Sequence, residues 1–202
     1  MDYRKVREIA GKGTGGHQFR ETLRAVALDA QDRLYAVGDG EVKVFDAEGA
    51  LLLRWPTTGP GWSIAVLEDG SAFVGEEGRV EIFDPKGRRR DAWEDEALLG
   101  RVTAIAIRPE HVLIADAKDR CIRRFDRSGK LLNNIGKDTP RKGFLIPNGV
   151  LDFVVDGEGV LHVAHPGKHR VERYLPSGEL LGHFGRFDGR DREGFSGCCI
   201  PT

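Results

Sequence analysis

The hexapeptide VFDAEG (Val44–Gly49) returns three times along the chain, as IFDPKG (Ile82–Gly87), RFDRSG (Arg124–Gly129) and, with its Asp lost, RYLPSG (Arg173–Gly178). Each copy carries an aromatic residue and then a short turn that closes on glycine, which enters left-handed backbone without steric cost. An aromatic that ends one strand, followed by such a turn, is a hairpin signature. The successive aromatics Phe45, Phe83, Phe125 and Tyr174 stand 38, 42 and 49 residues apart.

Upstream of each turn lie two short apolar runs, such as Ile64–Leu67 and Ala72–Val74, separated by polar residues. A third run then alternates: Val42 and Val44, Val80 and Ile82, with Ile122 and Val171 in the later copies, follow the two-residue period of a strand with one buried face. Downstream, a more polar run ends in Trp55, Trp93, Ile135 or Phe184. Four strands in a repeat of about 40–50 residues is the unit of a β-propeller blade. No helical period competes over a long window. A β-sandwich also gives short strands and regular turns, but it does not require the same turn before every fourth strand. The predicted fold class is therefore all-β, a propeller of four-stranded antiparallel blades in one domain over residues 1–202. Four full blades fall near 20–57, 58–97, 98–140 and 141–187, with partial blades at 1–19 and 188–202.

Composition sets outer limits. A hydrophobic content of 40% supplies a core, which excludes a disordered chain. The 31 basic and 32 acidic residues nearly cancel, so no global field steers the chain onto nucleic acid or an anionic membrane. The one dense basic run, Arg88–Arg90, adjoins Asp91 and Glu94 on an outer strand and reads as a charge-balanced edge, so no nucleic-acid partner is expected. No apolar run reaches the roughly 20 residues of a membrane-spanning helix, and the N-terminus lacks the apolar stretch of a signal peptide. Cys121, Cys198 and Cys199 are too few and too poorly spaced for a disulfide framework, which leaves the compartment open.

The segment IADAKDRCIRRFDRSGKLLNNIG (Ile114–Gly136) and the run HRVERY (His169–Tyr174) resemble the NHL-repeat family. The glycine-rich crossings Ile9–Phe19, Ile135–Val150 and Phe184–Phe195 are similar to that family's passage from an outer strand to the next inner strand. In the first two repeats Gly38 and Gly75 stand near the position that holds Asp116 in the third, and His165 replaces it in the fourth. The terminal GFSGCCIPT (Gly194–Thr202) resembles a Gly-Phe-Cys-Gly-Cys-Cys-Asn-Pro stretch of uncharacterised bacterial NHL-repeat proteins, with Ser196 and Ile200 as departures. The resemblance implies a six-bladed ring and relatives that are often exported or membrane-anchored. About two blades, on the order of 80–90 residues, would then be missing, so a truncated chain is the expectation. A four-bladed ring is the alternative, and it leaves the outer-strand pattern of Tyr3–Ile9 and the last eight residues unexplained. Self-association through open blade edges is a third outcome.

Propellers bind at the mouth of the central channel. Trp62, Arg101 and Asn148 precede inner strands, and Asp116, His165 and Arg170 lie between second and third strands, so these six are the candidate ligand-binding residues. Each also has a purely structural reading: Asp116 capping its own loop, Arg170 packing on a neighbouring blade, Trp62 filling a gap between blades. His162, His165 and His169 invite a zinc reading, but His162 and His165 point to opposite faces of a strand. No nucleophile elbow is present. Cys198 and Cys199 read either as apolar residues at the start of an inner strand or as a redox- or metal-responsive pair. The expected function is a non-catalytic scaffold for an unidentified protein or small molecule, without a cofactor. The alternative is a lactonase-like hydrolase holding calcium, which needs about six to eight oxygen ligands; Asp116 and Asn148 would supply two.

Overall fold

The computed structural model describes residues 7–137, 142–188, 190 and 194–195. Among them there is no α-helix, and the strands form four sheets of four consecutive antiparallel strands. The first blade holds β1 (Ala25–Leu28), β2 (Leu34–Gly38), β3 (Glu41–Phe45) and β4 (Leu51–Pro56). The second holds β5 (Ser63–Val66), β6 (Ala72–Gly75), β7 (Arg79–Phe83) and β8 (Arg89–Glu94). The third holds β9 (Val102–Ile107), β10 (His111–Asp116), β11 (Cys121–Asp126) and β12 (Leu131–Ile135). The fourth holds β13 (Phe153–Val155), β14 (Leu161–His165), β15 (Arg170–Tyr174) and β16 (Leu180–Phe184). A short parallel pair, β17 (Arg186–Phe187) with β18 (Gly194–Phe195), follows the last blade. Its counterpart before the first blade is a parallel bridge between Lys12 and Phe19.

The repeated turn works as its chemistry requires. Asp84 Oδ1 accepts the N–H groups of Lys86 (2.8 Å) and Arg88 (2.9 Å), and Asp126 Oδ1 accepts those of Ser128 (2.9 Å) and Lys130 (3.0 Å). The closing glycines Gly87 and Gly129 are left-handed, at φ +74° and +87°. Both lie against a tryptophan of the preceding blade, Gly87 on Trp55 and Gly129 on Trp93, where a β-carbon would intrude. The turn aromatics dock there too, with Phe83 5.7 Å from Trp55 and Phe125 5.7 Å from Trp93 between ring centroids.

The core is thus a series of layers between blades. One apolar cluster joins blades one and two, another blades two and three, a third blades three and four. Phe19 and Ile9 close over Ala36 and Phe45 on the outer side of blade one. Neighbouring inner strands are tied by side chains: Ser63 Oγ donates to Val102 O (2.8 Å) and Thr103 Oγ1 to Leu151 O (2.6 Å).

One expectation changes. The third strands do not have one wet face. Lys43, Glu81, Arg123 and Glu172, each central in its third strand, are almost wholly buried, because both faces of a blade meet protein. The four-bladed ring, the alternative to a truncated chain, has no closing apolar layer among the described residues. No apolar cluster there joins blade four to blade one, and Val154 and Phe184 of blade four are 64% and 52% exposed. The expected outer strand at Tyr3–Ile9 lies mostly outside the described residues, as do Cys198 and Cys199. No helix among the described residues is long and apolar enough to cross a membrane.

Candidate functional site

At the same place in every blade, one polar side chain at the end of the second strand reaches back to hold the crossing that leads into that blade. Asp39 accepts the N–H groups of Arg20 (2.5 Å), Glu21 (3.2 Å) and Thr22 (2.8 Å). Glu76 accepts from Gly59 (3.0 Å) and Asp116 from Gly100 (3.2 Å). His165 Nε2 accepts from Leu145 N (2.9 Å). A backbone N–H can only donate, so His165 carries its proton on Nδ1, which faces Glu172 Oε1 at 3.1 Å.

A buried charge from the third strand stands behind each of the last three. Glu81 accepts from Thr58 N (3.0 Å) and Oγ1 (2.5 Å) and pairs with Arg89 (3.0 Å). Arg123 spans Asp116 (2.8 Å), Asp119 (2.5 Å) and Asn134 Oδ1 (3.0 Å). Glu172 meets His165, Arg170 and Tyr174 Oη (2.7 Å). Burial works to raise Glu172, but the hydrogen bonds from His165, Tyr174 and Arg170 prevail and hold its carboxyl far below the usual range. Glu76 goes the other way: burial, together with the adjacent Glu81 carboxylate, lifts it to about 7 against the Gly59 hydrogen bond and the charge of Arg79.

The six predicted residues therefore separate into two groups. Asp116 and His165 are fully buried and engaged with backbone, and Arg170 is half-buried against Glu172. Trp62 and Arg101 immediately precede the inner strands β5 and β9, and Asn148 lies in the crossing that leads into β13. Trp62 is half-buried, with the Arg101 guanidinium carbon 4.3 Å from its ring centroid, and Asn148 shares its groove. That groove, of about 630 Å3, is walled by the inner strands of all four blades, including Ile64, Ala104 and Phe153.

Two residues that line this groove, Arg24 and Asp152, are not among the six candidates. Arg24, exposed, sets its guanidinium carbon 3.7 Å from the Trp62 centroid and also lines an adjoining cavity of about 540 Å3. Its signal was position alone, because it precedes the first inner strand as Trp62 precedes the second and Arg101 the third. Asp152 presents the one carboxylate that lines the groove among the described residues. Its surface is open but it sits recessed among strands, and lost hydration raises it above the ordinary range despite the hydrogen bond from Phe153 N (2.8 Å). The two hydroxyls on the wall, Ser63 and Thr103, are committed to carbonyls of the next blade. Among the described residues no three His, Cys, Asp or Glu side chains lie close enough to hold a metal ion.

No protein-family model matches the chain, and no curated protein matches it. Among solved structures it is similar to a protein of unknown function from Bacteroides caccae, at 18% identity and a TM-score of 0.66, over 89% of this chain and 66% of that one. It is also similar to a catalytically inactive virginiamycin B lyase from Staphylococcus aureus with quinupristin, at 13% identity and a TM-score of 0.65, over 83% of this chain and 58% of that one. A streptogramin B lyase aligns at 12% identity and a TM-score of 0.60, over 85% of this chain and 56% of that one. The chain thus spans between 56% and 66% of the length of these neighbours. At such identities the likeness is one of fold, and the fold is an all-β propeller of four-stranded blades.

Proposed function

We propose that this chain is an NHL-like propeller segment whose channel mouth is a non-catalytic binding scaffold for a small molecule or a protein side chain. One observation carries the reading. An indole flanked by guanidiniums from the blades on either side opens on a groove whose wall hydroxyls are already committed. Aromatic and arginine side chains around an apolar cleft are the composition of binding sites. The NHL likeness rests on the turn repeats and on the Ala115-Asp116 pair, with Asp39 and Glu76 filling the same capping place one residue later than the glycines of the first two blades.

The calcium-hydrolase alternative keeps one supporting observation, namely that Asn148 and Asp152 offer oxygens on one groove wall. Calcium titration followed by tryptophan fluorescence, with γ- and δ-lactones assayed alongside, separates the two. The scaffold reading expects no calcium response up to millimolar concentration and no lactone turnover. Calcium-dependent hydrolysis that Asp152→Asn abolishes would overturn it.

A further inference from the structure

Arg24 is exposed, and among the described residues no carboxylate pairs with it; its near partner is the Trp62 indole. Stacking on a ring uses the face of a guanidinium and leaves the N–H donors along its edge free. It also restrains a side chain that would otherwise lose rotamer freedom on meeting a ligand. Arg101, by contrast, is neutralised by Glu77 at 3.2 Å. Beside this free cation, Leu23, Val26 and Val150 face the groove 56%, 55% and 39% exposed. Covering such side chains is favourable in proportion to the apolar area removed from water. Asp152 on the same groove disfavours a second negative charge.

Resting on the reading of this groove as a binding site, we infer that its ligand is a singly charged organic carboxylate with an apolar body. The carboxylate is held by the Arg24 fork beside Trp62, and the body lies along Leu23, Val26 and Val150. The planar fork matches a carboxylate with two parallel hydrogen bonds.

The test titrates octanoate, octanol and octyl phosphate, all below micelle-forming concentration, into the full chain by calorimetry and by fluorescence. Trp62→Phe identifies the responding tryptophan, since Trp55 and Trp93 are buried. Octanoate should bind saturably and at least tenfold tighter than octanol or octyl phosphate. Arg24→Ala, at an exposed position, should remove that tenfold advantage of octanoate over octanol. Equal binding of octanoate and octanol, or an advantage that survives Arg24→Ala, overturns the carboxylate inference while the groove stands as a site. Tighter binding of octyl phosphate overturns the single charge. No saturable binding by any of the three overturns the inference and the binding-site reading together.

Discussion

Glu76 and Glu81 are two buried carboxylates that share one corner of the molecule, and they cannot both ionise at low cost. Arg89 and Thr58 satisfy Glu81 and keep it ionised below its ordinary range, although burial opposes this. Glu76, with Arg79 only at 3.8 Å, keeps its proton to about pH 7, above its ordinary value of about 4.5. The folded state therefore binds a proton that the unfolded chain has released. Stability from this group is full below about pH 4.5 and is lost as pH rises towards 7, at up to about 1.4 kcal/mol per pH unit. Glu76→Gln keeps an acceptor for Gly59 and a donor for Glu81, as the protonated acid does. Its urea-unfolding free energy should fall less than the wild type's between pH 5 and 7, and parallel profiles for the two proteins would rule the shared proton out.

The same logic applies to elements, which here are defined by what the neighbouring blade presses against them. Gly129 and Gly159 are both left-handed, at φ +87° and +83°, so each resists a β-carbon on backbone grounds. Only Gly129 lies under a tryptophan: a β-carbon there would stand 2.8 Å from Trp93 Nε1, whereas nothing lies within 4 Å at Gly159. Both Gly→Ala variants should lose about 1–2 kcal/mol to backbone strain, and Gly129→Ala should lose at least about 1 kcal/mol more from forced repacking. Equal losses in chemical denaturation would mean that the turn is not a blade-to-blade contact. The repeat was legible in sequence because this turn needs an aromatic, an Asx-type acceptor and a left-handed glycine at fixed offsets. Lys43, Glu81, Arg123 and Glu172 are not legible in this way, because alternation by itself implies one dry face and one wet face. In a propeller the second face is dry as well, and what tells a buried charge from a solvated one is its partner. Those partners, Gln18, Thr58, Asp116 and His165, lie in other elements and leave no periodic trace. Asp116 caps its own loop, as its structural reading expects, and like His165 it also holds a crossing, whereas Arg24 is legible only as the entry to the first inner strand.

For the whole molecule, the decisive feature is a face that the inner blades cover and that, among the described residues, blade four leaves open. Across blade three the ladder Ala115–Ile122–Ile135 is buried against blade four. The same register in blade four gives Ala164–Val171–Phe184, and there it lines a shallow hollow of about 310 Å3 with Val154 and His162. An apolar sheet face built to the pattern of a buried interface, but turned to water, favours association. The 202-residue chain should therefore show an apparent mass in sedimentation or light scattering that rises with concentration over the micromolar range. A charge at the centre of that face should oppose it. Phe184→Glu combined with Val154→Lys alters two exposed side chains, so the fold should persist while the apparent mass returns to that of a monomer. Arg90→Glu, an equally exposed charge change on the outer strand of blade two, should leave association unchanged. If the wild-type chain stays monomeric throughout, or if Arg90→Glu disperses it as well as the paired variant does, the open face of blade four is not what draws copies together.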